Sequence, residues 1–303
     1  MTTAAAADAA VPSAPLRPAP AAPPAATGVH PRNRLNDLTG KDWVKSTKSW
    51  FVCDGRAADF TDDIIAHPAS YPPEMAMRFI RFFTKAGGVV LDPFAGCGST
   101  LEAAWRTGRW GWGIELNPRY AEGCRKRIAG LAGDGGDGPV GLPRLLAGDA
   151  READRMPIPS PDLVLTSPPY WNMLKRSRGG VMSVSRRRKA AGLDTDYGDD
   201  PADLGVCDDY GAWLEELAEV FRRIGTRMRP GGHVVVVMQN IRTAEGTMRP
   251  AAWDLAARLA RHFLLRQEVI WCQDQKFLGC WGYPTTYVSN VHHHYCLVLE
   301  RGR

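Results

Sequence analysis

The sequence predicts an α/β fold: a mostly parallel sheet whose last strand runs antiparallel. Three observations carry this. The run Val89-Val90-Leu91 is followed at once by a glycine turn and a helical stretch, the entry half of a βαβ unit. The run His233-Val234-Val235-Val236-Val237-Met238 is continuously apolar and β-branched, as in a strand covered on both faces. The final run, Tyr295-Cys296-Leu297-Val298-Leu299-Glu300, comes after the chain doubles back from Trp271, which puts an antiparallel strand at or near the sheet edge.

At 303 residues there is room for one large domain or two small ones. A formal net charge of +5 suits an anionic partner such as nucleic acid, and it suits many enzymes that have none. The 7 cysteines are scattered, odd in number and free of CxxC pairs, which reads as reduced thiols in a cytoplasmic protein. No apolar run approaches the roughly 18 residues of a membrane span. The N-terminus lacks the charged start and compact apolar core of a secretory signal, so nothing argues for export.

Residues 1–30 are nearly all Ala and Pro, with few large side chains to offset the entropy of ordering, and a disordered tail is expected there. The ordered domain then spans residues 31–303, with Leu35, Trp43, Trp50 and Phe51 as buried anchors of an arm that packs on the main body. Lys48 in that arm has two readings, a partner for a cofactor carboxylate or a solvated cation beside aromatics. The segment His67-Pro68-Ala69-Ser70-Tyr71-Pro72-Pro73 leads into a helix whose apolar face is Met75, Phe79, Ile80 and Phe83.

The first strand ends in Asp92-Pro93-Phe94-Ala95-Gly96-Cys97-Gly98-Ser99-Thr100, before a helix over residues 101–107. Gly96 and Gly98 let the backbone turn tightly and approach a ligand, and the helix start offers unpaired N–H groups. The next strand, Trp110-Gly111-Trp112-Gly113-Ile114-Glu115, ends in an acid. In nucleoside-binding βαβ units an acid in that place accepts hydrogen bonds from both ribose hydroxyls, so Glu115 is the candidate ribose ligand; an acid favoured near a helix N-terminus is the plainer reading.

Residues 119–129 read as a helix, followed by a glycine-rich flexible stretch to residue 141. Arg144-Leu145-Leu146-Ala147-Gly148-Asp149 is a third, edge strand, and Asp149 by itself suits a turn. Pro161-Asp162-Leu163-Val164-Leu165 is the fourth and delivers Thr166-Ser167-Pro168-Pro169-Tyr170. Two adjacent prolines fix their own φ and keep the preceding residues out of the helical region, so this turn is extended and stiff. It can offer carbonyls, a hydroxyl and a ring to a planar amino-bearing ring, and the same pieces also make an ordinary tight turn.

An insertion loop is expected over about residues 175–205, rich in Lys175, Arg176, Arg178, Arg186, Arg187, Arg188 and Lys189. It is either a solvated mobile loop or a set of phosphate contacts whose binding weakens with salt. Acidic residues 194–209 follow. Residues 210–228 form a helix with Trp213, Leu214, Leu217, Val220, Phe221 and Ile224 on one face, ended by Pro230-Gly231-Gly232. Residues 251–263 predict a further helix and 265–271 a strand. His292, His293 and His294 with Cys272 and Cys280 do not read as a zinc site, because consecutive strand residues alternate faces and the Cys spacing fits no closed site; no metal is expected. The aromatic loop over residues 277–284 can touch a base or pack under the sheet.

Thr166-Ser167-Pro168-Pro169-Tyr170 resembles the catalytic motif of the amino-methyltransferases, which move a methyl from S-adenosylmethionine to an exocyclic nitrogen of a base, and its spelling is most like the cytosine-N4 branch of the DNA enzymes. The run from Asp92 to Thr100 is similar to that family's S-adenosylmethionine loop, the segment from His67 to Pro72 to one bordering its cofactor pocket, and the stretch from Arg229 to Val237 to its fifth strand. The resemblance covers about residues 32–300. It implies a Rossmann-like methyltransferase fold with a mostly parallel seven-stranded sheet. It also implies S-adenosyl-L-methionine as cofactor, held by Asp92, Phe94, Ala95, Gly96, Gly98, Thr100 and Glu115, with Asp149 at the adenine amino group. Ser167, Pro168, Pro169 and Tyr170 would be catalytic: Ser167 Oγ and the Pro168 carbonyl accept from the target amine, and Tyr170 stacks on the base.

The implied activity is methylation of cytosine N4 in DNA, on a base flipped from the duplex or met in a single strand. Lys175, Arg176, Arg178, Arg186, Arg187 and Arg188 would lie on the phosphates. A homodimer and a cognate restriction endonuclease are open as partners. Adenine N6, RNA and a protein amide remain alternative substrates, and a cofactor-binding DNA-recognition subunit is the non-enzymatic alternative. No target-recognition domain of the usual size lies between or after the motifs, which departs from the larger restriction-system enzymes and leaves the recognised sequence open.

Overall fold

The computed structural model describes residues 28–54, 71–133, 140–171, 203–243, 246–276, 278, 284–285 and 287–302. The Ala/Pro tail to residue 27, residues 67–70, the basic loop with Lys175, Arg176, Arg178, Arg186, Arg187 and Arg188, and most of the aromatic loop over 277–284 lie outside them.

Among the described residues eight strands make one sheet. In chain order the described elements are α1 (Gly40–Ser46), β1 (Trp50–Val52), α2 (Pro73–Phe83), β2 (Val89–Asp92), α3 (Ser99–Arg106), β3 (Trp110–Glu115), α4 (Pro118–Gly133), β4 (Arg144–Ala147), β5 (Leu163–Thr166), α5 (Tyr210–Arg227), β6 (His233–Met238), the short pair β7 (Ile241–Arg242) and β8 (Met248–Arg249), α6 (Ala251–Leu259), β9 (Leu264–Cys272) and β10 (His293–Glu300). The sheet order is β1-β9-β10-β6-β5-β2-β3-β4. Strands β4, β3, β2, β5 and β6 pair in parallel. Strand β10 runs antiparallel to both β6 and β9.

Three expectations are corrected here. The sheet has eight strands instead of seven, because Trp50–Val52 of the N-terminal arm adds a parallel strand to β9, in register Trp50 with Ile270 and Val52 with Cys272. The antiparallel strand β10 is interior, with β9 and β1 outside it. The arm's anchors are also shallower than expected: Trp50 is 47% exposed, while Leu35, Trp43 and Phe51 are half-buried.

The β-branched strand β6 explains the layering. Val234, Val236 and Met238 face one core, built with Trp213, Leu214, Leu217, Phe221 and Ile224 of α5 and Leu255 of α6. Val235 and Val237 face the other, with Met75, Phe79, Ile80 and Phe83 of α2. Each such buried side chain is worth about 1.5–3 kcal/mol relative to exposure, so the three-and-four spacing of α2 and α5 fixes which face of each helix meets the sheet. Asp209 caps α5, its side chain accepting from the Ala212 N–H at 2.6 Å. No helix among the described residues is long and apolar enough to cross a membrane.

From β2 the chain crosses to β3 on one side and later to β5 on the other. That reversal opens a crevice at the carboxyl ends of the strands, the place where open α/β sheets take ligands.

Candidate active site

A cleft occupies that crevice, and Phe94, Glu115, Asp149, Ser167 and Pro169 all line it. The two motifs, about seventy residues apart in sequence, meet there because β2 and β5 are hydrogen-bonded neighbours.

Glycine geometry shapes the first wall. Gly98 is the N-cap of α3 with φ +85°, and a Cβ there would stand 2.6 Å from Cys124 Sγ, so only glycine fits. The Gly96 N–H donates to Glu115 Oε2 at 2.7 Å, and the Asn117 N–H donates to Oε1 at 2.8 Å. Glu115 thereby ties the loop to the start of α4. Each oxygen keeps a lone pair for a further donor. Burial is the main reason its pKa rises to about 7; the two N–H donors oppose the rise, and Asp92 and Asp203 add to it.

Asp149 lies past the end of β4. Its Oδ1 accepts from the Arg151 N–H at 2.9 Å, and its Oδ2 accepts from Arg151 Nε at 2.8 Å. The side chain caps a short 3-10 turn and also borders the cleft.

Asp92 plays a different part from the one expected. It is 3% exposed and does not line the cleft. Its Oδ1 accepts from the Phe94 N–H at 3.1 Å and from Thr166 Oγ1 at 2.6 Å. Its Oδ2 accepts from Thr100 Oγ1, with Tyr71 OH at 3.4 Å. Burial raises its pKa, and these four donors hold the rise back. Thr100, expected at the cofactor, is spent on Asp92 and Tyr71 and does not line the cleft. Ala95 lies buried with Leu101 and Cys124, its N–H donating to the Ile114 carbonyl at 2.9 Å.

The second wall departs further from expectation. Ser167 and Pro169 line the cleft, whereas Pro168 and Tyr170 do not. Tyr170 is 4% exposed within the core that holds Trp171 and Trp213. Its hydroxyl donates to the Val237 carbonyl at 3.4 Å and accepts from Ser167 Oγ at 3.4 Å. A ring so placed cannot stack on a base without leaving the core. Burial pushes its phenol up to about 12. Behind the turn, Trp213 Nε1 donates to the Pro169 carbonyl at 3.1 Å.

Sequence reasoning missed several cleft residues: Leu116, Asn117, Tyr120, Gly148, Asp203 and Leu204. Asn117 and Gly148 stand next to expected ligands in sequence and were within reach of it. Asp203 and Leu204 enter from beyond residues 172–202 and carry no local signal. Lys48 does not line this cleft; its Nζ sits 3.7 Å over the Trp50 ring, on the other side of the reading that gave it a cofactor carboxylate. Among the described residues no cluster of His, Cys, Asp and Glu could hold a metal ion.

Residues 32–126, less than half of the chain, match the N6/N4 methyltransferase family model, described as DNA methylase. Two curated proteins are similar over short stretches. The methylase YubD of Escherichia coli (strain K12) is 42% identical over 65 residues, 22% of this chain and 29% of that protein. The type II methyltransferase M.ScaI of Streptomyces caespitosus is 40% identical over 57 residues, 19% of this chain and 19% of that protein. The matched stretch thus spans less than a third of either relative. Among solved structures, TrmN from Thermus thermophilus aligns over 76% of this chain and 48% of its own, with 18% identity and a TM-score of 0.44.

Proposed function

We propose that the chain is an S-adenosylmethionine-dependent DNA methyltransferase acting on an exocyclic amine, cytosine N4 in the first reading. The observation that carries this is the shared cleft, in which Phe94, Glu115 and Asp149 stand with Ser167 and Pro169. The DNA methylase match over residues 32–126 supports the substrate class, and the TSPPY spelling supports cytosine over adenine.

The cleft suits the cofactor on its own geometry. Glu115 keeps lone pairs free for the two hydroxyls of a ribose, and Asp149 Oδ1 keeps one for an adenine amino group. Phe94 adds an apolar ring to the lining they share with Ser167. Bound there, S-adenosylmethionine would supply an electrophilic methyl on a sulfonium sulfur.

The work left to the chain is alignment and electrostatics. Ser167 Oγ would accept a proton-bearing N–H of the target amine and turn its lone pair toward the cleft. The Tyr170 hydroxyl, 3.4 Å away, would hold that serine from behind. The stiff Pro168-Pro169 backbone would keep the acceptor fixed. Phosphate contacts by Lys175, Arg176, Arg178, Arg186, Arg187 and Arg188 belong to the same reading.

The test is incubation of the purified chain with DNA and cofactor, followed by mass spectrometry of the nucleosides. N4-methylcytosine is the expected product. N6-methyladenine would replace the base assignment and keep the class. Transfer only to RNA or to a protein amide would overturn the DNA reading, and inactivity on all three would favour a recognition subunit.

A further inference from the structure

A second cavity, of ≈ 320 Å³, lies at the other end of the strands. His233, the first residue of β6, lines it, and the five steps from there to Met238 cover about 16 Å. The cavity is therefore separate from the cleft. Its floor is apolar, with Phe79 and Phe83 of α2, Val269 of β9 and Val298 of β10. Phe83 stacks on the His233 ring at 4.6 Å, and burial holds that imidazole below its ordinary pKa.

The rim is cationic. Arg78, Lys48 and Arg266 all line the cavity. Arg266 is neutralised, its Nε donating to Glu300 Oε2 at 2.8 Å. Lys48 and Arg78 have no carboxylate within ion-pair distance among the described residues. Arg78 is half-buried and donates one long hydrogen bond, 3.3 Å, to the Ser46 carbonyl, while its Cζ lies 4.7 Å over the Phe51 ring. A guanidinium has five N–H donors, so most of this one's are uncommitted to protein acceptors among the described residues. Apolar walls with a few convergent polar groups are the usual make-up of a small-molecule site. A neutral hydrocarbon would bury Arg78 further without giving it an acceptor. A carboxylate on an apolar body would satisfy both floor and rim, because arginine pairs with carboxylates through two parallel N–H···O bonds.

We propose that this cavity binds a small apolar molecule carrying one carboxylate, the carboxylate on Arg78 and Lys48 and the body against Phe79, Phe83 and Val298. The inference does not depend on the function proposed for the cleft.

The test is calorimetric titration of the full chain with 2-naphthoate and with its neutral counterpart 2-naphthamide. Saturable naphthoate binding is expected, with naphthamide about tenfold weaker or more, the usual weight of a hydrogen bond to a charged group. Arg78→Met should weaken naphthoate about tenfold and leave naphthamide nearly unchanged, with Lys48 keeping what preference for the carboxylate remains. Gln267→Trp, a filling change at an exposed lining residue, should abolish naphthoate binding and decides the matter if Arg78→Met does not fold. Adenosine should not displace the probe. Absent naphthoate binding, equal affinity for both probes on the unaltered chain, indifference to Gln267→Trp, or displacement by adenosine would each overturn the proposal.

Discussion

Thr166 Oγ1 donates a 2.6 Å hydrogen bond to Asp92 Oδ1, joining the last residue of β5 to the last residue of β2. Ser167 follows the one and Pro93-Phe94 the other, so the two walls of the cleft are fastened at their roots by a single buried carboxylate. Asp92→Asn tests this. The amide has the same shape but one acceptor oxygen in place of two, and its NH2 must face a donor. We expect a loss of about 1–3 kcal/mol of stability, read as a lower denaturant midpoint, and a slower reaction with adenosine affinity nearly unchanged. Unchanged turnover would mean that the walls keep their spacing without this bond.

Glu115 makes cofactor affinity depend on pH. With a pKa of about 7 in the ligand-free cleft, the carboxyl is mostly protonated at pH 6 and ionised at pH 8. Ribose hydroxyls donate to the ionised form, so binding favours proton release and lowers the pKa in the complex. The sign follows: affinity should be flat above pH 8 and fall by about tenfold for each unit below 7. Calorimetry with adenosine, in buffers of different ionisation enthalpy, reports both the affinity and the proton released. A curve that is flat from pH 6 to 8 would sink the ribose assignment.

Gly98→Ala separates backbone strain from overlap. The residue has φ +85°, and its added methyl would meet Cys124 Sγ at 2.6 Å. The left-handed conformation alone costs about 1–3 kcal/mol for a residue with a side chain, and the overlap adds to it. Thermal melts should show the single variant well below the parent. Pairing it with Cys124→Ala should recover the steric part and leave the strain. If the double variant melts no higher than the sum of the two single changes allows, Cys124 is not the obstacle.

The parts of the fold written in local chemistry were readable beforehand. Gly96 and Gly98 fix a turn by their own freedom, Pro168 and Pro169 stiffen another, and α5 repeats Trp213, Leu217, Phe221 and Ile224 on one face. Strand β1 was not readable as a strand, because three residues carry too little alternation and their partner, Ile270–Cys272, lies over two hundred residues on. The same holds for the side-chain roles. Asp92 and Thr100 sit in a ligand-like motif, yet what they touch is decided by Tyr71 and Thr166, which come from other elements. Tyr170 follows the prolines in sequence, but the core around Trp171 and Trp213 decides that its ring points inward. Motifs mark where the backbone goes, and packing across the sheet decides which atoms remain for a ligand.

Trp213 should matter to the reaction although it never meets the cleft. Its indole is fully buried, and Nε1 donates to the Pro169 carbonyl at 3.1 Å, so α5 holds the turn that carries Ser167. Tyr210 stacks on the same indole at 5.7 Å and edges onto Trp171 at 5.1 Å, so one tyrosine ring links the two indoles. Trp213→Phe keeps an aromatic ring and removes the N–H, leaving a half-buried carbonyl without its donor at a cost of about 1 kcal/mol. A turn free to shift by a fraction of an ångström loses alignment, which is costly where the chemistry is mostly positioning. The expected result is a turnover rate at least about tenfold lower, with adenosine affinity within twofold of the parent, since the first wall is untouched. A parallel loss of adenosine affinity would instead make Trp213 a general support of the fold. A variant with full turnover would mean that Pro168 and Pro169 hold the turn unaided.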